Sequence, residues 1–236
     1  MLRTRRGPFS DHPDAGRRPA RLADEDVEVP GGAVRLAGHL TVPEHAVGLV
    51  VFVHGSGSSR HSPRNQYVAG VLQQARLATL LFDLLTPAEE THRENVFDIE
   101  LLAARLAQVT AWLRDQPRCR GLPVGFFGAS TGAAAALVAA AQPDADVAAV
   151  VSRGGRPDLA GDHLAHVRAP TLLIVGGRDD VVLGLNEAAR ARLRCENRLV
   201  VVPGATHLFE EPGTLAAAAR PARDWFLAHL SSHPGP

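Results

Sequence analysis

The chain has 236 residues, a length suited to one domain with a core of its own. Its formal net charge is zero, so no global field draws nucleic acid or acidic lipid, and no apolar stretch approaches membrane-spanning length. The two cysteines, Cys119 and Cys195, have no metal-like spacing and read as free thiols in a reducing compartment.

Met1 to Arg21 carries six arginines among several prolines, with no apolar periodicity. It lacks the apolar centre of a secretory signal, so residues 1–25 are expected to be a disordered tail and the protein to be cytoplasmic. A single domain is expected over 26–231, with 232–236 as a C-terminal tail. Asp26 to Val29 and Val34 to Val42 read as two strands of a hairpin turning at Gly31-Gly32. Gly48 to Val53 is a continuous apolar run, the pattern of a strand covered on both faces. The small-residue loop His54-Gly55-Ser56-Gly57-Ser58-Ser59 follows it, then a helix from about Pro63 to Gln74.

Ala78 to Leu84 is the next buried strand, and Thr86 to Glu94 a polar segment. Ile99, Leu102, Leu106, Val109 and Leu113 alternate at spacings of three and four, predicting one helix over 95–114. Pro123 to Ala141 contains an apolar run, the pattern Gly128-Ala129-Ser130-Thr131-Gly132 and an alanine-rich helix. A serine between glycines on a strand-to-helix turn is the context of a nucleophile elbow. Further strands are expected over 147–151, 171–175 and 199–202, with a short helix over 158–166 and longer ones over 185–194 and 214–230. Repeated strand-helix units predict a mostly parallel sheet with helices on both faces.

Reactive groups in such sheets gather at the carboxyl ends of strands. The His54 to Ser59 loop, Ser130, Asp179 in a GGRDD turn and His207 in a GATH turn all fall there. A serine hydroxyl becomes a nucleophile when a base takes its proton, and imidazole is suited to that near neutral pH. His207 is the candidate base and Asp179 its orienting acid, with Asp180 the neighbouring alternative. Metal binding and dinucleotide binding are not expected: the histidines are scattered, and CxxC, the glycine fingerprint and the phosphate loop are all missing from the sequence.

With these residues in the chain order serine, acid, histidine, the sequence resembles the α/β-hydrolase superfamily over residues 26–231. It is most similar to the small dienelactone-hydrolase-like group, in which dienelactone hydrolase itself has cysteine where Ser130 stands. The resemblance implies an α/β-hydrolase fold with little or no lid domain and a Ser130, Asp179, His207 triad. It implies an oxyanion hole made by the Thr131 backbone N–H and a second N–H from Ser56, with Gly57 as second choice. A small soluble ester is the expected substrate, without cofactor, nucleic acid or membrane. Thioester, lactone and amide bonds remain open, as does a non-catalytic binding or sensing role on the same scaffold. Arg60, Arg64, Arg153 and Arg156 also follow strand ends and are candidates for binding an anionic part of the substrate.

Overall fold

A computed structural model describes residues 19–231. Its centre is an eight-stranded sheet in the order β1-β2-β4-β3-β5-β6-β7-β8. β1 (Arg21–Gly31) and β2 (Val34–Pro43) form the antiparallel hairpin, and β2 also runs antiparallel to β4 (Leu77–Phe82). The remaining neighbours are parallel: β3 (Gly48–Val53), β5 (Val124–Ala129), β6 (Ala149–Arg153), β7 (Thr171–Gly176) and β8 (Asn197–Val202). β3 to β7 are buried throughout, as their mostly apolar runs lead one to expect of strands with helices on both faces.

The chain leaves β3 towards β4 and then crosses back to place β5 on the other side of β3. The carboxyl ends of β3 and β5 therefore flank the point where strand order reverses, the usual site of ligand crevices in open α/β sheets. On one face lie α4 (Ile99–Asp115), α5 (Thr131–Ala140) and a 3-10 helix (Pro157–His166), with α6 (Asp180–Arg192) against that helix. On the other lie α1 (Pro63–Gln74) and α7 (Thr214–Leu230). All ten residues of α5 are buried, and its alanines let it sit close between α4, the 3-10 helix and the sheet.

Several boundaries differ from the sequence expectation. Residues 21–25 belong to β1 rather than to a tail: they pair with β2, Ala23 is buried, and Asp24 bonds His39 and Thr41 across the strands. The rest of the expected N-terminal tail up to residue 18, and the C-terminal tail, lie outside the described residues. The polar segment folds into two short helices, α2 (Pro87–Glu90) and α3 (Arg93–Phe97). The helix expected over 95–114 is broken at Asp98, whose carboxylate accepts from the Leu101 N–H at 3.0 Å and so starts α4 afresh. α6 begins at Asp180, five residues before the expected start at 185, and the short 158–166 helix is a 3-10 helix interrupted at Gly161 with φ 53°.

Candidate active site

Ser130 sits between β5 and α5 with φ 51° and ψ −124°, a left-handed backbone that costs a non-glycine residue about 1–3 kcal/mol. The surroundings hold it there. Ser130 N donates to Arg153 O at 3.4 Å, and Ser130 O accepts from Ala133 N and Arg156 N at 3.2 and 3.0 Å. The flanking glycines are needed for packing. A Cβ on Gly128 would lie 2.4 Å from Ala133 Cα, and one on Gly132 would lie 2.2 Å from Val53 O. At these two positions strand and helix backbones meet too closely for a side chain.

His207 Nδ1 is 2.7 Å from Asp179 Oδ2. Asp179 caps α6 by position, yet its side chain makes no capping bond, so the carboxylate is available to the imidazole. Asp180 is already the first residue of α6 and is exposed; of the two candidates, Asp179 is the one that meets His207. The two turns are fastened to each other: Arg178 N donates to Ala205 O at 2.9 Å, and a Cβ on Gly176 would lie 2.5 Å from that same carbonyl. The turn before His207 is further held by Glu211, whose carboxylate accepts from Thr206 N at 3.1 Å. Hydrogen bonding from the Thr206 side chain, then from the Thr206 and Glu211 backbone, keeps the Glu211 carboxyl below the usual range. The imidazole lies beside Gly154, where a Cβ would come within 3.7 Å of His207 Cε1. No hydrogen bond joins Ser130 Oγ to His207 among the described residues.

The β3 loop approaches the elbow from the other side. A Cβ on Gly55 would stand 2.9 Å from Ser130 Cβ, so this glycine too is required by proximity. Ser56 N donates to Thr131 Oγ1 at 2.9 Å. The expected second oxyanion donor thus has an acceptor in the resting arrangement, supplied by the residue expected to furnish the first donor. The Thr131 N–H lies in the first turn of α5 and has no acceptor within the helix. Gly57 has φ 68° and open space around it. His54 is buried and structural: its Nδ1 meets Gly55 O at 3.0 Å and its Nε2 accepts from Leu84 N at 3.1 Å. Burial pushes its pKa down, consistent with a neutral ring that uses both nitrogens.

A crystal structure of dienelactone hydrolase from Anabaena variabilis superposes on this chain with a TM-score of 0.86 and 56% sequence identity, covering 90% of this chain and 99% of that one. The chain belongs to the dienelactone-hydrolase-like α/β-hydrolases. A dienelactone hydrolase-like promiscuous phosphotriesterase, P91, from metagenomic libraries shares the fold at 20% identity, with a TM-score of 0.70 and coverage of 88% and 98% of the two chains. Proteins from two strains of Mycobacterium tuberculosis, provisionally named phosphoribosyl transferases, are 68% identical over 215 residues, which is 91% of this chain and 48% of theirs. The chain therefore spans about half the length of the curated relatives it matches. No protein-family model matches it.

In this hydrolase-family chain, a cavity of about 380 Å³ opens beside the β3 loop. Residues 54–59 form one side, Leu84, Leu85 and Leu102 the sheet and α4 side, and Val96 and Glu90 the side built by α2 and α3. The sequence shows only polar residues in most of this wall; its anchorage is tertiary. Thr86 and Glu89 form a capping box on α2, and buried Arg105 of α4 donates to Glu89 at 2.8 Å. The Arg105 hydrogen bond holds the Glu89 carboxyl down to about 2.

Each of the four arginines expected to bind a substrate anion has a partner within the protein. Arg60 pairs with Asp83 and lines a separate cleft with Asp24, Asp26 and His39. Arg64 pairs with Glu210 at 3.3 Å, and Arg156 grips Asp158 through two bonds of 2.9 and 2.7 Å. Arg153 is enclosed: it donates to Asn65 at 3.3 Å and lies 5.8 Å from the Phe209 ring centroid, while its Nε and Nη1 have neither solvent contact nor partner. Burial, with the Arg64 charge, pushes its pKa down to about 10, so it stays cationic at neutral pH. Its location joins α1 to the His207 loop, and it offers no open face to a substrate. Among the described residues no cluster could hold a metal ion, and no helix is long and apolar enough to cross a membrane.

Proposed function

We propose that this chain is a serine hydrolase that cleaves small soluble esters through an acyl-enzyme on Ser130. The observation that carries this reading is the strained Ser130 backbone at the tip of β5, beside the reversal of strand order. Strain of this kind persists where the surroundings over-determine it, and it lifts the hydroxyl clear of the sheet. With Asp179 accepting from Nδ1–H, His207 Nε2 keeps a lone pair for the Ser130 proton.

His207 takes that proton as Ser130 Oγ bonds to the ester carbonyl carbon. The carbonyl oxygen, now negative, is received by the Thr131 N–H and by the Ser56 N–H, which leaves Thr131 Oγ1 for it. Gly57 is the alternative second donor. The imidazolium then protonates the departing alcohol oxygen, leaving the acyl group on Ser130. A water deprotonated by His207 releases the acid and restores the serine. Asp179 stabilises the imidazolium in both halves.

A thioester, lactone or amide would use the same steps. The transferase in the curated relatives' names we assign to the half of those proteins that this chain does not match. A fluorophosphonate probe tests the mechanism: the folded protein should be labelled, and Ser130→Ala should not. A folded protein that takes no label, or equal labelling of the variant, overturns it.

A further inference from the structure

The cavity beside the β3 loop has a polarity of its own. Its deep walls are apolar, contributed by Leu84, Leu85, Val96 and Leu102. The His54 ring in the loop wall is already used, since both its nitrogens are bonded to the backbone. Of the two adjacent glutamates at the end of α2, Glu89 is held by Arg105 and Thr86. Glu90 lines the cavity and is exposed, with no ion pair from any described residue. The one charged group that faces this space is therefore an uncompensated carboxylate.

Size and position complete the description. Gly55 is in the cavity wall, and a Cβ there would stand 2.9 Å from Ser130 Cβ, so the β3 loop that lines the cavity is the same loop that packs against the elbow. A dry cavity of about 150 Å³ is enough to bind benzene. The volume of about 380 Å³ takes a substituted aryl ring.

We infer that this cavity binds an aryl-sized part of the ester bearing a hydrogen-bond donor, a hydroxyl or an ammonium, at the end that meets Glu90. Glu90 is then a specificity-determining residue: it accepts from the donor and repels an anionic group at the same place. This rests on the hydrolase reading for the word ester, while the binding preference itself requires no chemistry at Ser130. The free carboxylate and the lack of any arginine in the cavity lining point the same way, to selection against anions in this cavity.

The direct test is a ligand-observed NMR titration of the full chain with benzylamine, benzyl alcohol and benzoate. Benzylamine should bind more tightly than benzoate by about tenfold, the difference between attraction and repulsion at a partly solvated carboxylate. Glu90→Gln should bring the ratio close to one, and Glu90→Lys should invert it. Val96→Trp, which fills the cavity, should weaken all three ligands. Equal or tighter binding of benzoate by the wild type, or a ratio that survives both Glu90 variants, overturns the inference. The kinetic counterpart compares kcat/KM for esters carrying para-aminomethyl or para-carboxylate groups, once in the acyl half and once in the alcohol half. Loss of charge preference in Glu90→Gln in either half supports the inference, and no change in both counts against it. Fluorophosphonate labelling of the wild type separates the failures. A charge preference without labelling sinks the hydrolase reading alone, and labelling without a charge preference sinks the cavity assignment alone.

Discussion

His207 Nδ1 and Asp179 Oδ2 lie 2.7 Å apart, joining two turns that are 28 residues apart in the chain. The acid of this pair stands next to a second aspartate, so the pairing has a built-in comparison. Asp179→Asn should lower kcat by about 10⁴-fold, because an amide can hold the imidazole in the wrong tautomer. Asp180→Asn should stay within a few-fold of wild type, since that side chain is exposed on α6. Steady-state kinetics on one ester with both variants decides it; equal losses would reassign the acid.

Glycine replacements should separate crowding from chain flexibility. Gly132→Ala drives a methyl into the Val53 and His54 carbonyls, at 2.2 and 2.4 Å from ideal positions. Overpacking of about 2 kcal/mol corresponds to a Tm lower by about 4–8 °C for a domain of this size. Gly184→Ala, in α6 with nothing within 4 Å, should instead raise Tm, by reducing unfolded-state freedom worth about 0.4–1 kcal/mol. Thermal melts of the two variants are the check.

Acid should loosen the cavity wall built by α2. Glu89 has its pKa lowered to about 2 by Arg105, so its contribution is complete above its ordinary carboxyl value. The folded state binds this proton less readily than the unfolded state, and stability falls as pH drops from about 4.5 towards 2. Glu89→Gln should remove that part of the pH dependence in urea melts; an unchanged slope would mean the ion pair adds nothing to folding.

His54 acts with the same sign at higher pH. Burial lowers its pKa, so the neutral ring is favoured in the fold and the unfolded chain takes up the proton first. Its contribution is full above about 6.5, the ordinary histidine value, and declines as pH falls below it. His54→Gln should flatten stability between pH 7 and 5, at the cost of the bonds to Gly55 and Leu84.

Arg153 should behave as a positioning residue. Arg153→Met removes the bond to Asn65 and the charge over Phe209, loosening the loop that carries His207. We expect lower kcat with little change in KM, and the same ratio of rates on charged and neutral esters as wild type. A changed ratio would restore a direct role in binding a substrate anion.

Much of this was legible in the sequence because it depends on local pattern. Gly48 to Val53 and Leu172 to Gly176 are apolar without a break, the composition that suits a strand buried on both faces. The residues of the candidate site follow strands, so their order in the chain carries them to one edge of a parallel sheet. The elbow glycines were legible too, since bare backbone is what such a turn needs. What escaped the pattern was partnership between distant groups. Arg60 and Asp83, or Arg105 and Glu89, are far apart in the chain, and charge alone does not say which pair is satisfied. The Thr131 hydroxyl that takes the Ser56 N–H is likewise invisible until β3 and β5 lie side by side.

The sequence by itself determined the alternation of buried strands and helices, the glycine-flanked turn at Ser130 and the presence of an acid and a histidine after later strands, because periodicity and backbone demands act over a few residues. The tertiary structure decided which aspartate meets His207, that the arginines are paired or enclosed rather than free, and that the 86–97 segment walls a cavity with Glu90 facing into it. Those outcomes turn on distances of a few ångströms between groups brought together by the sheet order, and electrostatic and packing energies vary steeply over such distances.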